Sequence, residues 1–151
     1  MDNIAPPTDL TRRPPRSARA RLGGYVILPR VIDKCRALLA GTAGEYNYAC
    51  PLDMRFFDFV LIDPVVFKQQ VESGLGDGAL LAWVAENAGK KHTDHEIELW
   101  SRFQESRVPS GMEARGYLQQ AQEASAPLRE DIASWFEWLD VDDYASFGGK
   151  V

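Results

Sequence analysis

The 151-residue sequence contains no apolar run that approaches the roughly 20 residues of a membrane-spanning helix. Its first residues, MDNIAPPTDLTRRPPRSARARLGG, also lack the apolar middle segment of a signal peptide. We therefore expect a cytoplasmic protein with no membrane partner. In that compartment Cys35 and Cys50 would stay reduced, because disulfides persist mainly in oxidising environments.

Two further features are missing: a repeat at a fixed period and a glycine-rich phosphate-binding loop. The stretch GLGDG has neither the lysine nor the preceding strand that such a loop requires. We therefore expect no cofactor. The length is that of one domain, and apolar and charged contents of 45% and 26% are typical of an ordinary globular protein.

Positive charge is concentrated at the start of the chain. Residues 1–36 hold eight basic and three acidic side chains, whereas residues 37–151 hold nine basic and nineteen acidic ones. Residues 1–16, with four prolines, are predicted to form a flexible basic arm, followed by one domain at 17–151. The arm would either dock to a protein partner or fold back onto the acidic body. Nucleic acid is not an expected partner, because an acidic body with a pI of about 5.0 repels phosphates.

Hydrophobic periodicity predicts an all-α domain of about seven helices with at most a minimal two-stranded β element. Val31, Ile32, Cys35 and Leu38 fall on one face of a helix that ends at Gly41. The predicted helix starts comprise a capping Asp53, Asp63 before Pro64, a capping Asp77, the pairs Thr93–Glu96 and Ser110–Glu113, and a last helix near Pro127.

The stretch GEYNYACPLD carries the densest mixture of polar and aromatic side chains in the sequence. Its alternation predicts an extended segment with Tyr46, Tyr48 and Cys50 on one side, and Pro51 excludes helix at Cys50. The neighbouring helix RVIDKCRALLAG turns charged residues away from its apolar face, either into solvent or as one wall of a pocket. The predicted ligand-binding residues are Asp33, Arg36, Glu45, Tyr46, Tyr48 and Asp53.

These residues indicate a non-catalytic domain that binds a small polar ligand or a peptide. One alternative is an enzyme in which Cys50 is the nucleophile and His92 or His95 the base. Another is a metal held by His92 and His95, whose spacing brings two imidazoles near each other. The more ordinary interpretation is a structural cysteine and a solvated turn.

The chain also resembles a bacterial family known as domain of unknown function 5069. The resemblance extends over about residues 14 to 140 and is carried by LPRVIDKCRA, GEYNYACPLD and the stretch from Phe57 to Asp63. It implies a small bacterial cytoplasmic protein. It brings no reaction, ligand or catalytic residue to this sequence.

Overall fold

A computed structural model describes residues 9–151, which form seven α-helices and one small β-hairpin. The hairpin pairs β1 (Arg21–Leu22) with β2 (Tyr25–Val26) in antiparallel register. The helices are α1 (Leu28–Ala40), α2 (Pro51–Val60), α3 (Pro64–Glu72), α4 (Asp77–Asn87), α5 (Asp94–Ser106), α6 (Met112–Ser125) and α7 (Trp135–Ser146). The predicted all-α class is therefore confirmed.

The main core lies where β2 and α1 to α5 meet, with Phe136 reaching it from α7. Phe56, Phe57 and Phe67 are fully buried and contact one another edge to face, with the Phe57 and Phe67 centroids 5.4 Å apart. A second, smaller cluster joins α6 to α7. Its buried members are Leu118, Ala126, Ile132, Trp138 and Val141.

Several predicted helix signals are confirmed by the backbone. Gly41 ends α1 in the left-handed conformation at φ 72°, which costs glycine little. Asp63 caps α3 by accepting a hydrogen bond from the Val65 N–H. Thr93 caps α5 through the Glu96 N–H.

Other predicted starts are wrong. Asp53 does not cap α2, which begins at Pro51 after Cys50, and Asp77 is the first residue of α4 rather than its cap. Gly111, not Ser110, precedes α6. No helix starts at Pro127: α7 begins at Trp135, where the Ser134 side chain and Glu137 form a reciprocal capping box.

The basic residues near the start of the chain contact the acidic body. Arg16 binds Asp33 and Asp77, Arg19 binds Asp140, and Arg21 binds two glutamates of α5. Within the predicted arm, residues 1–8 lie outside the described residues. Leu10, in the remainder, is 1% exposed and its N–H donates to the Thr42 carbonyl. Much of the local positive charge is therefore neutralised within the chain itself.

Among residues 9–151, no helix is long and apolar enough to cross a membrane.

Candidate functional site

The segment between α1 and α2 is not extended, so that prediction is wrong. It forms two successive turns, with Gly44 and Ala49 both at a φ of 58°. Because of these turns, the side chains of Tyr46 and Tyr48 point in different directions. Tyr48 packs edge to face on Phe57 and donates its hydroxyl to the Pro64 carbonyl at 2.7 Å. Tyr46 instead reaches across to α7.

A buried lysine lies beneath these turns. The Lys34 ammonium is 2.8 Å from Asp53 Oδ1, and it donates to the Asn47 carbonyl at 3.0 Å and to Cys50 Sγ at 3.2 Å. The two side chains of the ion pair are 4% and 0% exposed. Asp53 Oδ2 accepts from the N–H of Ala49, whose left-handed backbone is unfavourable for a residue with a Cβ. Lys34 and Asp53 thus fix the turn that presents Cys50.

A second buried ion pair joins α1 to α7. Both terminal nitrogens of Arg30 donate to the Asp143 carboxylate, at 2.7 and 3.1 Å. The Tyr46 hydroxyl donates to the same carboxylate at 2.8 Å, and its ring lies 5.5 Å from the guanidinium carbon. Burial and the charge of Asp143 raise the pKa of the Tyr46 hydroxyl, so Tyr46 stays a neutral donor.

The two ion pairs flank an open cleft of about 710 Å³, here called the Tyr46 cleft. It lies between the turns, the end of α7 and the middle of α6. It is larger than a depression of about 500 Å³ beside α6. Its lining is Leu10, Thr11, Arg30, Lys34, Gly44, Glu45, Tyr46, Asn47, Cys50, Leu52, Tyr117, Leu139, Asp142, Ser146 and Phe147.

The polar groups of the Tyr46 cleft differ in what they can offer a ligand. The Lys34 ammonium already donates to the Asn47 carbonyl and to Cys50 Sγ and is ion-paired with Asp53. The carboxyl groups of Glu45 and Asp142, by contrast, make no hydrogen bond or ion pair with residues 9–151. Burial, and then the charge of Asp143, raise the pKa of Asp142.

The structure separates the six predicted ligand-binding residues into three places. Glu45 and Tyr46 line the Tyr46 cleft, whereas Tyr48 and Asp53 lie below it, in the core and in the Lys34 ion pair. Asp33 and Arg36 line a different depression, of about 350 Å³, where they bind Arg16 and Asp77.

The residues of the alternative enzyme and metal hypotheses lie as follows. His92 stacks on Phe59 at 3.7 Å, its Nε2 faces the Phe59 carbonyl at 2.7 Å, and its Nδ1 faces Glu96 at 2.8 Å. His95 is exposed on α5, and neither histidine lines the Tyr46 cleft that contains Cys50. In the described part of the chain, no three His, Cys, Asp or Glu side chains are grouped as metal ligands.

The sequence reasoning did not find Arg30, Lys34 and Asp143. It left Lys34 either on a solvated helix face or in a polar pocket wall, whereas the structure buries that side chain in an ion pair with Asp53. A usable signal exists: Arg30, Asp33 and Lys34 are spaced i, i+3 and i+4, which aligns three charges on one face. Such a stripe marks a charged helix face, but it does not show which carboxylates these charges meet.

Comparison with known proteins gives a family. None of the curated proteins with which the chain was compared matches it. The family profile described as Domain of unknown function (DUF5069) matches residues 12–145, nearly the whole chain. That range includes the Lys34–Asp53 and Arg30–Asp143 pairs and eleven of the fifteen residues that line the Tyr46 cleft. The chain therefore belongs to the DUF5069 family.

Proposed function

We propose that this protein is a non-catalytic binding domain whose Tyr46 cleft holds a small polar ligand. The observation that carries the proposal is the pair of carboxyl groups in the cleft, Glu45 and Asp142, which have no partner among residues 9–151. Glu45 is exposed and Asp142 is half-buried, so both carboxyl groups can be reached by a ligand that donates hydrogen bonds.

The chemistry of the lining selects the ligand class. The cationic groups of the cleft, Arg30 and Lys34, already have carboxylate partners, so the groups left open are acceptors. Leu52, Leu139 and Phe147 supply apolar surface beside them. A small molecule with an amine or several hydroxyl groups on a short apolar body complements this lining.

The rigidity of the wall supports binding. Tyr46 is held by Asp143 at its hydroxyl and by Arg30 at its ring. The turn before Cys50 is held by Asp53 and Lys34. Because these side chains already have fixed positions, a ligand would lose little free energy in ordering them.

Thermal-shift measurements against small amines and polyols test the proposal. We expect at least one compound to raise the melting temperature of the wild-type protein, and Asp142→Asn and Glu45→Gln to weaken that shift. Asp131→Asn, at an exposed carboxylate paired with Arg129 far from the cleft lining, is the matched control and should leave the shift intact. The absence of any shift, or an equal loss in the control, would contradict the proposal.

A second candidate function uses Cys50 as a nucleophile, which its contact with the Lys34 ammonium favours. Under the binding proposal, Cys50→Ala should fold normally and leave ligand binding and cellular activity unchanged. A well-folded Cys50→Ala protein that has lost its activity in the cell would support the enzyme instead.

A further candidate is docking to a protein partner through the arm at residues 1–16, which carries Arg12, Arg13 and Arg16. Arg12→Glu, at an exposed arginine of the arm, should then weaken complex formation in pull-downs while the fold remains. Unchanged pull-downs would contradict this candidate. We also propose that the protein is located in the cytoplasm.

A further inference from the structure

A second depression, here called the Arg107 pocket, adjoins the Tyr46 cleft. It has a volume of about 440 Å³ and shares four lining residues with the cleft: Cys50, Leu52, Tyr117 and Leu139. Beyond this shared wall, the pocket is lined by two tryptophans of α7, Trp135 and Trp138, and by two arginines, Arg55 and Arg107. It therefore combines flat aromatic surface with two guanidinium groups.

Arg55 and Arg107 are both held in place by hydrogen bonds to other helices. The Arg55 Nε donates to the side-chain oxygen of Gln104 at 2.6 Å, and Gln104 is 2% exposed. Arg107 follows directly after α5, and its carbonyl accepts a hydrogen bond from the Trp135 N–H at 3.1 Å. That bond ties the end of α5 to the start of α7. The pocket is thus assembled from α2, α5 and α7.

The charge of these arginines is not balanced nearby. Within residues 9–151, neither Arg55 nor Arg107 forms an ion pair with a carboxylate, whereas Arg16, Arg21 and Arg30 all do. Both side chains are half-buried. Burial, and then the positive charge of Arg55, lower the pKa of Arg107.

An anion bound between Arg55 and Arg107 would reduce the repulsion between their positive charges. The outer nitrogens of two guanidinium groups form planar forks that match carboxylate and phosphate oxygens. The indole rings of Trp135 and Trp138 match a flat apolar body. Charge complementarity and shape therefore point to the same kind of occupant.

We propose that the Arg107 pocket binds a small molecule in which an anionic carboxylate or phosphate is joined to a flat apolar body. This inference goes beyond the proposed function of the Tyr46 cleft, because it concerns different polar residues and the opposite ligand charge. A molecule long enough to reach the shared wall would contact both.

Titration with 1-naphthoate, 1-naphthyl phosphate and the neutral 1-naphthalenemethanol tests the proposal, with calorimetry and tryptophan fluorescence as readouts. We expect at least one of the two anions to bind and to change the emission, and the neutral alcohol to bind at least about tenfold more weakly, because charged hydrogen bonds are lost. The stronger of the two anions identifies carboxylate or phosphate as the preferred group.

Arg107→Gln should reduce the affinity for that anion about tenfold or more, while Arg107→Lys should keep part of it. Arg102→Gln is the matched control, since Arg102 lies on α5, is 72% exposed and binds Glu98 instead. Thermal unfolding of each variant separates loss of binding from loss of fold.

Three outcomes would overturn the inference: equal binding of alcohol and anions, failure of both anions to bind at millimolar concentration, or an equal loss in Arg102→Gln. A salt-sensitive dimer that Arg107→Gln dissociates would also overturn it, because an acidic side chain of a second copy would then be the occupant. Failure here alongside amine binding in the Tyr46 cleft would leave the proposed function intact.

Discussion

The main core and the α6–α7 cluster differ in how deeply their largest side chains are buried. In the main core the phenylalanine rings are at most 1% exposed and contact one another edge to face. In the α6–α7 cluster, Leu118, Ile132, Trp138 and Val141 each retain 6 to 9% exposure. The Arg107 pocket is lined by residues of both regions, with Leu52 and Leu139 beside the main core and Trp138 in the α6–α7 cluster. The site proposed for an anion therefore lies where the two regions meet.

Phe57→Ala should be the most destabilising change, because it empties the centre of the main core. We expect a loss of about 3–5 kcal/mol in the free energy of unfolding, measured by urea denaturation. Phe103→Ala is the matched control, since Phe103 is 59% exposed, and it should cost far less. Equal losses for the two variants would contradict the assignment of Phe57 to the core.

Lys34→Met tests the buried ion pair between Lys34 and Asp53, which lies beside the Tyr46 cleft. Removal of the ammonium leaves the Asp53 carboxylate buried without its ion pair, so we expect a loss of about 3 kcal/mol in the free energy of unfolding. The double variant Lys34→Met with Asp53→Leu removes both charges and should recover much of that loss. A double variant no more stable than the single one would show that the pair matters through something other than burial of charge.

Leu118→Ala tests the smaller cluster. We expect a loss of about 2 kcal/mol in the free energy of unfolding, at the low end for a buried leucine because the site is close to solvent. Leu128→Ala, at a residue that is 88% exposed, serves as the control and should have little effect. A loss as large as that of Phe57→Ala would remove the contrast between the two regions.

Ser134→Ala should have the smallest of these effects. It removes the capping box at the start of α7, and we expect a cost of about 1 kcal/mol in thermal or urea unfolding. Ser110→Ala makes the same chemical change at a position where the structure has no side-chain cap, so its cost should be close to zero. The reverse ranking would mean that the sequence pattern at Ser110 was the correct one.

These serines show how far local sequence predicts local structure. Both precede a glutamate by three residues, yet only Ser134 uses the motif, because Gly111 has a φ of 87° and takes the cap position after Ser110. The sequence signals at Gly41, Asp63 and Thr93 were correct since each depends on residues within a single turn. A capping motif thus predicts a helix start only where the neighbouring backbone allows it.

The candidate site was predicted only in part. Glu45 and Tyr46 line the Tyr46 cleft, but the burial of its anchoring residues, Lys34 and Arg30, in ion pairs was not predicted. Their partners Asp53 and Asp143 are 19 and 113 residues away in the chain, respectively. No local pattern shows that such charges will meet.

Composition and periodicity by themselves determined the helical class, the approximate number of helices and the apolar face of α1, because these depend on which side chains recur every turn. Only the tertiary structure decided where the charges go. It pairs Arg16, Arg19 and Arg21 with carboxylates of the acidic body. It buries Arg30 and Lys34 with carboxylates from α7 and α2, and it leaves Arg55 and Arg107 without such partners in the described chain. The physical reason is that burying a charge is costly unless it is paired. Pairing depends on distances that arise when helices remote in sequence pack together.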